Sequence, residues 1–279
     1  MAKWAKFLQV SRSGYYEHLS QRTERQKKEN TLKDDVRKLF AASGGTYGPD
    51  RICGVLRNQG KRASYRKISR LMAMMGLSSI HNRHRTRSLT NSKKARGAGY
   101  PNLVRGNTFT KPYQVVCSDI TYIRTGEGWL YLCVVKDIVS GEILGEATSE
   151  NMKKELVVRA FLNAQARHHM PTGIIFHSDR GSQYTSKQFV ETLEQYGVRQ
   201  SFSRVGMPGD NAWAESFFAT LKKECVHWRH FSTRSEARGI TFAWIEGFYN
   251  TKRVQAKLGY RSPKEFANSH YYYNKKLIA

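Results

Sequence analysis

Long hydrophobic runs are missing from this sequence of 279 residues, and its mean hydropathy is −0.62. Apolar stretches such as Leu130–Val135 are too short to form a membrane-spanning helix. The first residues contain no apolar segment of signal-peptide length, so we do not expect export. The four cysteines stand singly without zinc-ligand spacing, as in an intracellular protein that keeps them as thiols.

Acidic residues are absent between Asp50 and Asp119, a segment of 68 residues that contains 15 lysines and arginines. The chain carries a formal net charge of +25, of which residues 1–118 contribute +19. Such a field attracts polyanions, and the release of counterions from phosphates makes nucleic acid the expected partner. The alternatives are a basic face that serves solubility and an anionic membrane surface, although no basic amphipathic helix with aromatic anchors is present.

Three helices are predicted in this basic part of the chain. Apolar spacing predicts the first over residues 31–43, a second from Pro49 to Gly60, and a third from Ser64 to Gly76. Two short helices joined by a tight turn are typical of a helix-turn-helix. Four residues of the third helix lie outside its apolar stripe, where a recognition helix would contact DNA: Tyr65, Arg66, Lys67 and Arg70. The alternative is a plain three-helix bundle with a solvated basic face.

The composition divides the chain into five predicted parts. They are an N-terminal helical arm (1–30), the helix-turn-helix domain (31–80), a basic linker (81–112), an α/β domain (113–270) and a tail (271–279). Residues 81–99 contain a single large apolar side chain, Leu89, so this stretch is expected to be a linker or an arm that folds on DNA. Its expected DNA contacts are Arg83, Arg85 and Arg87.

From residue 113 the pattern changes to alternating strands and helices. Strands are predicted at 115–123, 129–135, 142–147, 173–177 and 198–201, and helices at 152–166, at 186–196 and from Asp210 onward. Three meandering strands followed by alternating helices and strands make a mixed α/β domain. The last helix carries a predicted core stripe of Ala214, Phe217, Phe218, Leu221, Cys225 and Trp228.

Three carboxylates of this domain are candidates for chemistry. Asp119 lies within a predicted strand, Asp179 follows the end of another, and Glu215 lies in the first turns of the last helix. Sites in open α/β sheets form at the carboxyl ends of strands. Three such carboxylates can hold two Mg²⁺ ions about 3.5–4 Å apart for in-line phosphoryl transfer. Each acid alone is more often a cap, a turn residue or an ion-pair partner, so the hypothesis depends on all three together.

The sequence around these acids resembles a known family. Asp179 and Glu215 are separated by 35 residues, and the acids lie in Ser118-Asp-Ile-Thr-Tyr-Ile, His177-Ser-Asp-Arg-Gly-Ser-Gln-Tyr and Asp210-Asn-Ala-Trp-Ala-Glu-Ser-Phe-Phe. This arrangement is similar to the retroviral-integrase-like DDE transposases. More narrowly, it resembles the OrfB-type catalytic chains of a bacterial insertion-sequence family, with further matching motifs along nearly the whole chain.

The resemblance implies a ribonuclease-H-like integrase catalytic core, a mixed five-stranded sheet with helices, preceded by the all-helical helix-turn-helix domain. Asp119, Asp179 and Glu215 would be both the catalytic residues and the ligands of two Mg²⁺ ions, for which Mn²⁺ could substitute. The implied reaction is hydrolytic nicking at the ends of the element, followed by attack of a DNA 3′-OH on another phosphodiester.

The resemblance also implies partners and a location. The expected partners are the element's terminal inverted repeats, target DNA, further copies of the chain on DNA, and the upstream-frame protein OrfA. OrfA is expected either as a frameshifted fusion with this chain or as a partner, and the expected location is the nucleoid in a bacterial cytoplasm. Further DNA contacts are expected at Gln200, Ser203, Lys222 and Arg253, and solvated charge is an equally good interpretation of Lys222 and Arg253.

The chain departs from the family pattern outside the three acids, at Val116, Lys136, Glu146 and Gln255. Two other functions are therefore weighed. One is a DNA-binding regulator with a weakened catalytic core. The other is a ribonuclease H or a resolvase nuclease, neither of which would need the basic helix-turn-helix part.

Overall fold

The computed structural model describes residues 11–82, 101–204 and 211–278. The chain forms two compact units, residues 1–83 and 84–279, which are described separately. Among the described helices, none combines the length and the apolar character needed to cross a membrane. The finer division into five parts stays a prediction.

The first unit contains the helices α1 (Arg12–Ala42), α2 (Pro49–Asn58) and α3 (Tyr65–Met74). α1 begins well before the predicted residue 31, because the Ser11 side chain caps it by accepting a hydrogen bond from the Gly14 N–H at 3.0 Å. α3 begins as predicted, since the Ser64 side chain accepts from the Lys67 N–H. A short 3₁₀ turn, Ile80–Asn82, follows.

The second unit is built on a five-stranded mixed sheet in the order β3-β2-β1-β4-β5. The strands are β1 (Val115–Thr125), β2 (Gly128–Asp137), β3 (Ile143–Ser149), β4 (Ile175–Ser178) and β5 (Arg199–Phe202). The first three pair antiparallel, whereas β1, β4 and β5 run parallel. The predicted mixed sheet of five strands is confirmed, and the strand ends differ from the prediction by one or two residues.

Helices cover both faces of the sheet. α4 (Lys154–His168) and α5 (Lys187–Gln195) pack on one face, with Phe161 and Phe189 in the core. α6 (Ala212–Leu221) and α7 (Arg234–Trp244) pack on the other face, with Phe217 in the core. The last helix is α8 (Pro263–Ile278). This layering leaves the carboxyl end of β4 and the middle of β1 beside the first turn of α6.

The predicted burial of Trp228 is wrong. α6 does not continue as a regular helix, because Lys222–Val226 form a π-helical turn after Leu221. The wider turn changes the direction in which later side chains point. Cys225 stays buried, but Trp228 is 52% exposed.

Candidate active site

Asp119 and Asp179 follow the last paired residues of two neighbouring parallel strands. The pairing of β1 with β4 ends at Cys117 and His177; Asp119 comes two residues later within β1, and Asp179 is the first residue after β4. Because side chains alternate along a strand, Asp119 belongs to the same sheet face as Cys117, which packs in one cluster with Ala214 of α6. The two acids therefore lie at the carboxyl end of β4, beside α6.

Glu215 lies in the first turn of α6, and two side chains fix this turn on the sheet. The Asn211 side chain donates from Nδ2 to the carbonyl oxygen of Ser118 at 3.2 Å. The buried Lys136 ammonium donates to the carbonyl oxygen of Trp213 at 2.6 Å. These hydrogen bonds join α6 to the strand residues around Asp119. Lys136 fits among the buried residues of β2 because its ammonium donates a hydrogen bond to this backbone carbonyl.

The three carboxylates share one electrostatic environment. Burial raises the pKa of Asp119 to about 7, and the charges of Asp179 and Glu215 add to the increase against a hydrogen bond from the Ile120 N–H. The pKa of Asp179 is raised by partial loss of solvent, against a hydrogen bond from the Gly181 N–H. Partial loss of solvent also raises the pKa of Glu215. The negative charges of Asp179 and Glu215 thus disfavour ionisation of Asp119, and a bound cation would offset this repulsion.

The donor chemistry of these side chains fits a hard divalent cation. Mg²⁺ prefers carboxylate oxygens, and the three acids offer only such oxygens. In the part of the chain that the structure describes, no three His, Cys, Asp or Glu side chains stand close enough together to hold a metal ion. The roles of Asp119, Asp179 and Glu215 as metal ligands and catalytic residues therefore stay predictions.

Lys222 lies beside Asp119. Partial burial lowers the pKa of its ammonium, and the negative charge of Asp119 acts in the opposite direction. The ammonium also lies 5.0 Å from the centre of the Tyr122 ring, a cation–π contact. The DNA contact of Lys222 stays a prediction.

The structure contradicts the predicted DNA contact of Arg253. Its side chain is 5% exposed and forms two hydrogen bonds with the carboxylate of buried Glu224, at 2.7 and 2.9 Å. This buried ion pair joins the π-helical turn after α6 to the segment after α7. Arg253 therefore has a structural role here.

Gln200 and Ser203 take part in hydrogen bonds within the protein. The Gln200 amide donates to the carbonyl oxygen of Tyr184 at 2.6 Å. Ser203 is buried, and its hydroxyl lies 3.1 Å from Nε2 of the buried His177. Arg180 donates to the Ser203 carbonyl oxygen at 3.0 Å. DNA contacts at Gln200 and Ser203 stay predictions.

Sequence reasoning missed the supporting role of Tyr184. This buried side chain lies behind the candidate site, with its hydroxyl 2.9 Å from the Ser118 hydroxyl. It thereby holds the strand residue next to Asp119 from the opposite sheet face. The sequence feature that could have indicated this role is the position of Tyr184 as the final residue of the motif that begins at His177.

The other departures from the family pattern lie in packed surroundings. Val116 is fully buried in the core under α4 and α5. Glu146 forms an ion pair with Arg167 at 3.1 Å. Gln255 donates to the Tyr249 hydroxyl at 3.5 Å. None of these three departures disturbs the carboxylates.

In the first unit, the predicted DNA-contacting residues of α3 are exposed. Tyr65 is 57% exposed, and Arg66 and Lys67 are also exposed. Arg70 is exposed as well and pairs with Glu29 of α1 at 3.1 Å. The predicted contacts Arg83, Arg85 and Arg87 lie outside the described residues.

Family models match both units. An integrase core domain matches residues 110–208, a second integrase core domain model matches residues 196–263, and an HTH-like domain matches residues 27–85. Among solved structures, the catalytic core domain of BIV integrase covers 58% of this chain and 99% of its own, with 15% identity and a TM-score of 0.42.

Relatives named as transposases match along most of the chain. The transposase for insertion sequence element IS904 of Lactococcus lactis is 41% identical over 237 residues, which is 84% of this chain and 92% of that protein. Transposase InsF for insertion sequence IS3A of Escherichia coli is 35% identical over 268 residues, or 94% of this chain and 91% of that protein. The chain therefore belongs to the insertion-sequence transposases with an integrase core domain and an HTH-like domain.

Proposed function

We propose that this transposase cuts DNA strands at the ends of an insertion sequence and joins them to another DNA site. The observation that carries the proposal is the parallel pairing of β1 with β4 up to Cys117 and His177, after which Asp119 and Asp179 follow beside the first turn of α6, which holds Glu215. The pKa of Asp119 is raised in part by the charges of the other two acids. Perturbed carboxylates grouped at the end of a parallel strand are typical of catalytic sites.

Asp119, Asp179 and Glu215 would hold the divalent cations in this site. When bound, two Mg²⁺ ions, or Mn²⁺ in their place, supply Lewis acidity that favours ionisation of the attacking hydroxyl and neutralises charge on the leaving oxygen. The protein's own contribution is to fix the carboxylates on a rigid sheet. Asn211 and Lys136 hold the first turn of α6 against β1, and Lys222 provides positive charge for a nearby phosphate.

The first unit would recognise the terminal inverted repeats. Arg66, Lys67 and Arg70 of α3 are exposed and placed for contact with bases or phosphates, and Tyr65 lies beside them. We further propose that copies of the chain assemble on DNA, together with the upstream-frame protein OrfA as a fusion or as a partner. The protein would then act at the bacterial nucleoid.

The test compares strand cleavage with DNA binding. The substrate is a labelled duplex of the element's end with Mg²⁺, and the variants are Asp179→Asn and Glu215→Gln. Both should lose cleavage and joining by a factor of at least about 10³ and keep the affinity of the parent protein within about threefold. Glu191→Gln, which removes an exposed carboxylate of α5, serves as the matched control. Loss of affinity equal to the loss of cleavage would show that these acids are structural, and the proposal would fail.

A further inference from the structure

The β1–β2 hairpin exposes a group of side chains on one side of the sheet. The strand register pairs Tyr122 with Tyr131 and Arg124 with Trp129, so these four residues lie on one face. We call these four residues the hairpin face. Tyr122 is 50% exposed and Trp129 is 46% exposed, while Tyr131 is half-buried. Large aromatic side chains of this exposure indicate a contact surface when they are grouped.

The exposed rings are ordered relative to each other and to a cation. The Tyr122 and Trp129 rings meet edge to face with their centres 5.0 Å apart. The Lys222 ammonium lies 5.0 Å from the centre of the Tyr122 ring. The exposed Arg124 adds a second positive charge. Aromatic rings next to such cations match the composition of surfaces that bind single-stranded nucleic acid.

The hairpin that carries these rings is held in place at its tip. The Gly126 N–H donates to the Phe231 carbonyl oxygen at 2.9 Å. Arg234 donates from its backbone N–H to the Glu127 carboxylate at 2.8 Å, and from its side chain to the Trp129 carbonyl oxygen at 3.2 Å. A ligand that stacks on Trp129 therefore meets a preorganised backbone, which lowers the entropy lost on binding.

The hairpin face lies on the same strand as Asp119 but on the opposite face of the sheet. Tyr122 follows Asp119 by three residues, about 10 Å along the β-strand, and side chains alternate between the two faces. At about 3.4 Å per nucleotide, this distance spans about three nucleotides of one DNA strand. Lys222 connects the hairpin face with the candidate active site, because its ammonium lies over the Tyr122 ring and also interacts electrostatically with Asp119.

We propose that the hairpin face is a stacking platform for an unpaired base of the DNA strand that enters the active site. This inference rests on the proposed function and adds a base-binding position to it. The stacked base would lie within about three nucleotides of the phosphate that is cut. Stacking on Trp129 and Tyr122 would hold an opened strand end, while Lys222 and Arg124 would attract its phosphates.

The test uses the full-length chain in EDTA, so that binding is measured without cleavage. The probe is a duplex of the element's end whose last three nucleotides are unpaired, with the fluorescent base 2-aminopurine at each of the three positions in turn. The variants are Tyr122→Ala, Trp129→Ala and the conservative Trp129→Phe. Phe242→Ala is the matched control, because Phe242 is also exposed (47%) and has the Arg167 guanidinium 5.9 Å from its ring centre.

The parent protein should quench 2-aminopurine at one of the three positions. Trp129→Ala and Tyr122→Ala should each abolish that quenching and weaken binding about 5- to 150-fold, the range for loss of one stacked base. Trp129→Phe should retain the quenching and most of the affinity. An abasic nucleotide at the quenched position should weaken the parent protein equally and should not weaken Trp129→Ala further. Phe242→Ala should bind as the parent protein does.

Three results would overturn the inference. Unchanged quenching and affinity in both alanine variants would show that no base stacks on the hairpin face. Additive losses from Trp129→Ala and the abasic nucleotide would show that the base binds elsewhere. A changed sedimentation coefficient of Trp129→Ala with normal quenching would make this face a contact between copies of the chain. Failure of the parent protein to bind any duplex end would instead refute the proposed function, and the inference with it.

Discussion

Replacing Asp119 by asparagine should stabilise the second unit in the absence of metal. The carboxyl is half-buried and close to two other acids, and its pKa is about 7 instead of 3.8. Asparagine has nearly the same shape and carries no charge. The variant therefore removes the cost of holding a carboxylate ion at this position while it keeps the packing.

The direction of the pH dependence follows from the raised pKa. Below about pH 4 the carboxyl is protonated in both the folded and the unfolded chain, so it contributes no difference. Between about pH 4 and 7 it ionises more readily in the unfolded chain, and the free energy of unfolding falls. At 1.36 kcal/mol per pKa unit, the full difference is ~4 kcal/mol, and partial solvent access reduces it to ~2–4 kcal/mol. Asp119→Asn should remove this loss.

The assay is urea unfolding in EDTA at several pH values, followed by tryptophan fluorescence. Four of the five tryptophans lie in the second unit, so the signal reports mainly on that unit. The variant and the parent protein should be equally stable at about pH 4, and the variant should be more stable by ~2–4 kcal/mol at about pH 8. Glu194→Gln, at an exposed carboxylate of α5, serves as the matched control. A stability difference that does not change with pH would refute the reasoning.

Further predictions concern packing and DNA binding. Arg253→Met should lower the free energy of unfolding by ~3–5 kcal/mol in urea titrations, because it leaves the Glu224 carboxylate buried without its arginine, and equal stability would contradict the structural role. Gly145→Ala should destabilise the second unit by at least ~1–3 kcal/mol in the same titrations, since its Cβ would lie 2.6 Å from a carbonyl oxygen of α4. Arg66→Ala and Arg70→Ala should each weaken binding to the terminal repeats and reduce the slope of log Kd against log salt concentration by about one. Normal binding by both variants would show that α3 does not contact this DNA.

Local signals made much of the fold predictable. The third helix carries its own cap at Ser64 and an apolar stripe of Ile68, Leu71 and Met72, so its start and buried face follow from neighbouring residues. Residues 1–30 were predicted to be a helical arm, but the start of its helix was not predicted because residues 13–28 are exposed and show no apolar period.

The positions of the three acids could be predicted because strands and their ends are marked in the sequence. Asp119 and Asp179 were chosen from the strands around them, and the parallel pairing of β1 with β4 ends two residues before each of them. The buried pair of Arg253 with Glu224 joins residues 29 positions apart, and no local pattern marks it. Trp228 was misplaced because a π-helical turn shifts the helix phase without a residue signal.

The most direct test of the central claim is made in cells, with a PCR assay across the joined ends of excised element circles. An element with the parent gene is compared with one that carries Glu215→Gln, and OrfA is supplied in both. Circles from the first and none from the second, with equal protein levels, are the predicted result. Equal amounts of circles from both elements would contradict a catalytic role for Glu215. Circles from neither, with normal binding to the ends, would identify a DNA-binding regulator with an inactive core and refute the proposed catalysis.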